Sequence, residues 1–178
     1  MKALLIIDMQ NVSFTPATPR FDAENVVKRI NALAERFRQH NDKVIFIQHD
    51  GSKENECLPG TDEWKILDSL YIDTNDYILS KTANDSFYRT NLHQILQDSA
   101  INELIVTGCA TDFCVDATIK SALSLDYCLS VISNAHTTAD RPHISAEKLI
   151  THYNWMWKEM IPTKGNVEVI PFEKYISL

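Results

Sequence analysis

The sequence predicts an α/β fold of three layers, a six-stranded parallel sheet covered by helices on both faces in a Rossmann-like manner. Short runs of apolar, often branched residues recur along the chain, with the length and composition of strands buried on both sides. Between them lie longer segments whose apolar residues return at helical spacing, and strands alternating with helices imply right-handed crossovers onto one sheet. A length of 178 residues with 44% hydrophobic content is the size of one globular domain able to bury a substantial core. One domain over residues 1–178 is therefore expected.

Ala3 to Ile7 is fully apolar and reads as the first strand, and the polar group Asp8-Met9-Gln10-Asn11 follows at once. From Asp22 to His40, Val26, Val27, Ile30, Leu33, Ala34 and Phe37 recur at helical spacing with charges opposite. Val44 to Ile47 is a second buried strand. The stretch from His49 to Thr61 holds Gly51, Pro59 and Gly60 among charged residues, which predicts a surface loop placed to cover a pocket. Tyr77 to Leu79 is a short third strand ending at Ser80-Lys81-Thr82, and Asn91 to Asp98 sets Leu92, Ile95 and Leu96 on one helical face. Glu103 to Thr107 is the fourth strand, broken by Gly108. A mostly apolar helix from Asp112 to Leu125 follows it. Cys128 to Ile132, His143 to Trp157 and Val167 to Ile170 complete the series as strand, helix and strand. The chain shows no internal repeat or low-complexity linker.

Composition removes several function classes. The net charge is −7 and the basic residues are scattered singly, so no nucleic-acid partner is expected. The apolar run at the start is short and interrupted by Asp8, which predicts neither signal peptide nor membrane span, and hence a cytoplasmic protein. Cys57, Cys109, Cys114 and Cys128 are unevenly spaced and include no Cys-x-x-Cys pair, so free thiols are expected. A Rossmann nucleotide site lacks its main requirement, since no Gly-x-Gly-x-x-Gly follows the first strand and the chain has only four glycines.

In an open parallel sheet, functional groups gather at the carboxyl ends of the strands. Asp8, Lys81 and Cys114 fall at or just after three such ends. Taken singly, an acid there is usually a cap and a lysine a surface charge. Cys114 is more informative, because Thr107-Gly108-Cys109-Ala110-Thr111-Asp112-Phe113-Cys114-Val115 runs from a buried strand into a helix. A helix start and a nearby ammonium such as Lys81 would favour the thiolate. The plainer reading of a free cysteine, a small buried hydrophobe, is kept for Cys57, Cys109 and Cys128.

Three pieces in order, Leu4 to Asn11, Lys81 with Ser86-Phe87, and Thr107 to Val115, resemble the signature of the isochorismatase-like cysteine hydrolases. The resemblance covers nearly the whole chain. It implies a catalytic triad of Asp8, Lys81 and Cys114 and a cis peptide at Cys109-Ala110. It further implies a mechanism in which Asp8 takes the thiol proton, Lys81 steadies the thiolate and Cys114 attacks a carbonyl. The backbone N–H groups of Ala110 and Cys114 would receive the oxyanion. The expected reaction is hydrolysis of a C–N bond in a small amide or carbamoyl compound.

Gln10, Phe14, His49 and Phe87 are the candidate pocket residues, the phenylalanines because each lies close in sequence to a triad member. The nicotinamidase branch holds a metal through an Asp-x-His pair after its second strand. Here that stretch is Gln48-His49-Asp50-Gly51-Ser52, so neither metal nor other cofactor is expected and His49 reads as a hydrogen-bonded pocket wall. The segments Asn134 to Asp140 and His152 to Asn154 also look like this family, although Asn134 stands where an aspartate is common. The expected partner is a small-molecule substrate. The aromatic stretch His152 to Trp157 and the family's habit of self-association imply a homo-oligomer, dimer or tetramer. Two other readings stay open: an isochorismatase-type vinyl-ether hydrolase using Asp8 as acid, and a catalytically silent binding protein of the same fold.

Overall fold

The computed structural model describes residues 1–162 and 164–178. Among them, six strands form one sheet: β1 (Lys2–Ile7), β2 (Lys43–His49), β3 (Tyr77–Lys81), β4 (Glu103–Cys109), β5 (Cys128–Thr137) and β6 (Val167–Ile170). Their spatial order is β3-β2-β1-β4-β5-β6, and every neighbouring pair is parallel. The helices are α1 (Ala23–Gln39), α2 (Leu92–Asp98), α3 (Asp116–Ser124), α4 (Ala146–Lys158) and α5 (Phe172–Tyr175).

The three layers follow from the alternation of strand side chains. Ala3, Leu5 and Ile7 of β1 face a core built with α2, α3 and Trp157 of α4. Leu4 and Ile6 face the other side, where Val26, Ile30, Leu33, Ala34 and Phe37 of α1 and Tyr175 of α5 cover them. Both faces of β1, β2 and β4 are therefore dry, which is why their sequences are almost continuously apolar. A fully buried aliphatic side chain contributes about 1.5–3 kcal/mol, so the central strands dominate the stability of the sheet.

The strand order reverses between β1 and β4, which lie side by side although far apart in sequence. The crevice beyond the carboxyl ends of these two strands is where open α/β sheets bind ligands. Asp8 leaves β1 there, and Cys109-Ala110 leaves β4.

Four expectations about elements need correction. Gly108 does not break the fourth strand: β4 runs through it to Cys109, with a register shift against β5 between Val106 and Gly108. Glycine is required there by φ +116° and by contact with β1, since a Cβ would stand 2.2 Å from the Ile7 carbonyl oxygen. The segment after it is not one helix. Thr111–Val115 forms a wide π-helical turn, with the Val115 N–H reaching back to the Ala110 carbonyl at 3.2 Å, and α3 begins only at Asp116. β5 continues past Ile132 to Thr137 because its polar residues find partners. Asn134 Oδ1 accepts the Phe172 N–H at 2.8 Å, and the Thr137 hydroxyl donates to the Phe21 carbonyl at 2.6 Å. Finally, α4 starts at Ala146 rather than His143, where Ser145 caps it and Asp140 accepts the Ala146 N–H at 2.8 Å.

Candidate active site

Asp8, Lys81 and Cys114 are brought together at the carboxyl ends of β1, β3 and β4. Asp8 adopts φ +46°, a left-handed conformation that bends the chain as β1 ends, while its N–H still joins the ladder to Ile47 at 2.8 Å. Among non-glycine residues Asp and Asn tolerate that geometry best. Lys81 is the last residue of β3, paired in register with His49 of β2, and its side chain is fully buried. Cys114 lies in the π-helical turn, not at the start of an α-helix.

The Lys81 ammonium joins the other two. Its Nζ stands 2.7 Å from Asp8 Oδ2 and 3.3 Å from Cys114 Sγ, and it also donates to the Ala83 carbonyl at 2.9 Å. Burying an ammonium is costly unless its charge is paired and its protons are bonded. Both conditions are met here. Burial disfavours the charged form of Lys81, but Asp8 and Cys114 outweigh it and hold the lysine above its ordinary pKa. Asp8 is pushed up, chiefly by burial and against the pull of Lys81. Its Oδ1 is buried and has no hydrogen-bond partner among the described residues.

The charge state of Cys114 departs from the sequence expectation. The thiol is raised well above its usual range, first by burial and then by Asp8, with Lys81 opposing both. The resting group is therefore a thiol, and its Sγ lies 3.6 Å from Asn84 Oδ1 as a donor. A thiol beside an ammonium and a buried carboxylate with one free oxygen is arranged for proton transfer at the moment of attack.

These groups open into a cavity of about 280 Å³ lined by Asp8, Gln10, His49, Asn84, Phe113 and Cys114, among others. That is the small end of the range for ligand pockets. The peptide Cys109-Ala110 at its floor is cis, and the Ala110 N–H donates to no partner among the described residues.

Of the candidate pocket residues, Gln10 and His49 line the cavity while Phe14 and Phe87 do not. Phe14 rests on the core beneath α1, and Phe87 stacks on Tyr127 with ring centroids 5.8 Å apart. Nearness in sequence to a site residue did not determine where either ring points. The Gln10 amide is fully engaged in bracing: Nε2 donates to the carbonyls of His49 at 3.1 Å and Trp64 at 2.8 Å, and Oε1 accepts the His49 N–H at 2.7 Å. His49 is half-buried, and burial together with Lys81 lowers its pKa, so it stands neutral near pH 7. Its neighbour Asp50 caps Ser52, accepting the Ser52 N–H at 2.9 Å. Among the described residues no three His, Cys, Asp or Glu side chains are gathered around one point as a metal site requires.

Sequence reasoning missed Asn84, Phe113 and Cys57. Asn84 carried a weak signal, being the first amide after Lys81. Cys57, read as a small buried hydrophobe, is buried, and it also lines the cavity, its pKa raised by burial. Phe113 is half-exposed, with the Arg141 guanidinium 5.0 Å over its ring. Arg141 also grips Asp112 through two bonds of 2.8 and 2.9 Å, which ties the loop after β5 to the cysteine-bearing turn.

A family model for the isochorismatase domain matches residues 2–163. A streptothricin hydrolase of Streptomyces noursei is 30% identical over 142 residues, 80% of this chain and 51% of that protein, so the chain spans about half of that relative's length. A probable inactive nicotinamidase of Arabidopsis thaliana is 30% identical over 173 residues, 85% of this chain and 88% of the other. The crystal structure of an isochorismatase family protein superposes with a TM-score of 0.88 at 30% identity, covering 95% of this chain and 97% of that one.

Proposed function

Because this chain belongs to the isochorismatase family, we propose that it is a cysteine hydrolase that cleaves a C–N bond in a small amide or carbamoyl compound through a covalent acyl-enzyme. The observation that carries this reading is the Lys81 ammonium held between Asp8 Oδ2 at 2.7 Å and Cys114 Sγ at 3.3 Å, at the base of a cavity.

In the proposed cycle the Cys114 thiol loses its proton to Asp8 as sulfur attacks the substrate carbonyl. Burial raises the basicity of Asp8, which brings its proton affinity nearer to that of its task. Lys81 compensates whichever anion is present, first the carboxylate and then the thiolate. The Ala110 and Cys114 N–H groups are assigned to the carbonyl oxygen as it gains charge, a type of contact whose loss costs about 3–4 kcal/mol in other hydrolases. Asp8 then protonates the departing nitrogen, and it deprotonates the water that releases the acyl group. The presence of all three groups, with the cysteine facing the cavity, supports a covalent hydrolase over a silent binding protein.

Purified protein screened against a panel of small amides and carbamoyl compounds should yield a substrate. On it, Cys114→Ala should lower kcat by about a thousandfold or more while leaving the unfolding midpoint nearly unchanged. Rapid quenching and intact-mass measurement of the wild type should reveal a mass increase on the Cys114 peptide. Near-normal turnover by Cys114→Ala, with only Asp8→Asn inactive, would overturn the covalent mechanism in favour of proton donation by Asp8 to a vinyl ether.

A further inference from the structure

We propose that this cavity selects a cationic substrate, one whose amine or guanidino group is received by Glu54 and Glu56 at the rim while its amide reaches Cys114. The proposal rests on the hydrolase reading for the place where bonds break, and it names the class of compound that enters.

The charges around the cavity are unequal in sign. Glu54 and Glu56 both line it, and no lysine or arginine does among the described residues. Lys81 lies behind the wall, buried and neutralised by Asp8 at 2.7 Å. Arg141 is committed to Asp112 in the two-pronged pair described above. His49, the remaining basic group in the wall, is held neutral. Arg20 acts electrostatically on Cys109 but does not line the cavity, so a ligand meets two carboxylates and no lining cation in a concave site, where field lines are focused and counter-charged ligands are concentrated.

The bare hydrogen-bonding atoms inside point the same way. Asp8 is 6% exposed, lines the cavity, and keeps Oδ1 without a partner. Among the described residues Asn84 Oδ1 is met only by the weak S–H donor at 3.6 Å. Asp8 Oδ1 and Asn84 Oδ1 are thus left to accept from a ligand's N–H groups, while the Ala110 N–H remains for the carbonyl under attack. A carboxylate-bearing amide would bring like charge toward both glutamates.

The backbone that carries the two glutamates is fixed by a tight turn. Glu54 and Glu56 both donate their N–H to the Gly51 carbonyl, at 3.0 and 3.1 Å. Gly51 is buried at the hub of this turn, where a Cβ would stand 2.2 Å from the Glu56 carbonyl oxygen. Cys57 anchors the far end beneath Gln10, with Nε2 to Sγ at 3.5 Å.

The test reads the field at Cys114 without relying on turnover. Trimethylammonioethyl, methyl and sulfonatoethyl methanethiosulfonates each form a mixed disulfide with Cys114 by loss of methanesulfinate, but the reagents carry positive, zero and negative charge. Their rates on the Cys114 peptide are measured by mass spectrometry at low salt, each divided by its rate with free N-acetylcysteine. The cationic reagent should exceed the anionic one by about tenfold or more, and the ratio should shrink in high salt. Glu54→Gln and Glu56→Gln should each lower the ratio, and the double variant should bring it near unity. Both residues are exposed and their backbone bonds to Gly51 do not involve the side chain, so folding is retained. A wild-type ratio near one, or a ratio that survives the double substitution, overturns the proposal. Failure of the hydrolase reading would instead appear as undiminished turnover in Cys114→Ala, an outcome these rates do not touch.

Discussion

At the scale of single residues, the central point is that burial pushes the Cys114 thiol up in pKa and its two charged neighbours pull on it in opposite directions. Asp8 raises the thiol pKa while Lys81 lowers it, so the two partners act in opposite senses on the resting sulfur. This yields a prediction that separates intrinsic reactivity from catalysis. Asp8→Asn removes the carboxylate and leaves Lys81 as the charge beside sulfur, so alkylation of Cys114 by iodoacetamide at pH 7 should become several-fold faster. Amide turnover by the same variant should fall by about a thousandfold, because no group remains to carry the proton. Slower alkylation in Asp8→Asn would mean that Asp8 activates the resting thiol directly. Asp8, Lys81 and Cys114 were legible in the sequence because each lies at or just after a strand end within one of three ordered motifs that resemble a known family. Asn84, Glu54 and Glu56 were not, since a polar residue in a loop looks the same whether it faces solvent or a cavity.

At the scale of elements, the contact between β1 and β4 decides where Cys114 sits. Gly108 brings the end of β4 against Ile7, and the cysteine-bearing turn begins three residues later. Gly108→Ala would place a methyl group 2.2 Å from the Ile7 carbonyl oxygen in a backbone conformation with φ +116°. Urea denaturation should show a loss of about 3 kcal/mol or more. A loss below about 1 kcal/mol would mean that the strands separate easily and that Gly108 merely ends a pattern, as its sequence context suggests. The extension of β5 to Thr137 and the π-helical turn were equally hidden. Both depend on partners distant in sequence, and the helical periodicity of Phe113, Val115 and Ile119 cannot distinguish a π turn from an α turn over so short a span.

At the scale of the whole molecule, one buried histidine couples the cysteine-bearing turn, β5 and α4. His136 Nδ1 lies 2.9 Å from the Thr111 hydroxyl and Nε2 lies 3.0 Å from Asn154 Oδ1, while its ring packs edge-on against Trp157 at 5.1 Å. Burial pushes its pKa from 6.5 down to about 4. Between those values the unfolded chain binds a proton that the folded protein refuses, so stability falls as pH drops from 6.5 toward 4. The loss attributable to this group should approach about 3 kcal/mol at the acid end. Replacing it by His136→Gln should flatten that part of the stability profile, measured by denaturant midpoints across pH. An unchanged slope would show that other groups govern acid unfolding. Among the described residues no helix is long and apolar enough to cross a membrane.

The sequence by itself determined the alternation of strands and helices, the central apolar strands, and the three residues that meet at Lys81 Nζ. It could do so because the elements are written in local periodicity, while the three residues stand in ordered motifs that resemble a known family. Only the tertiary structure decided the rest: the strand order that sets β1 beside β4, the burial that keeps Cys114 protonated, and the two glutamates turned toward the cavity. Charge states and side-chain directions arise from groups far apart along the chain, so burial and distance appear only when the sheet has closed.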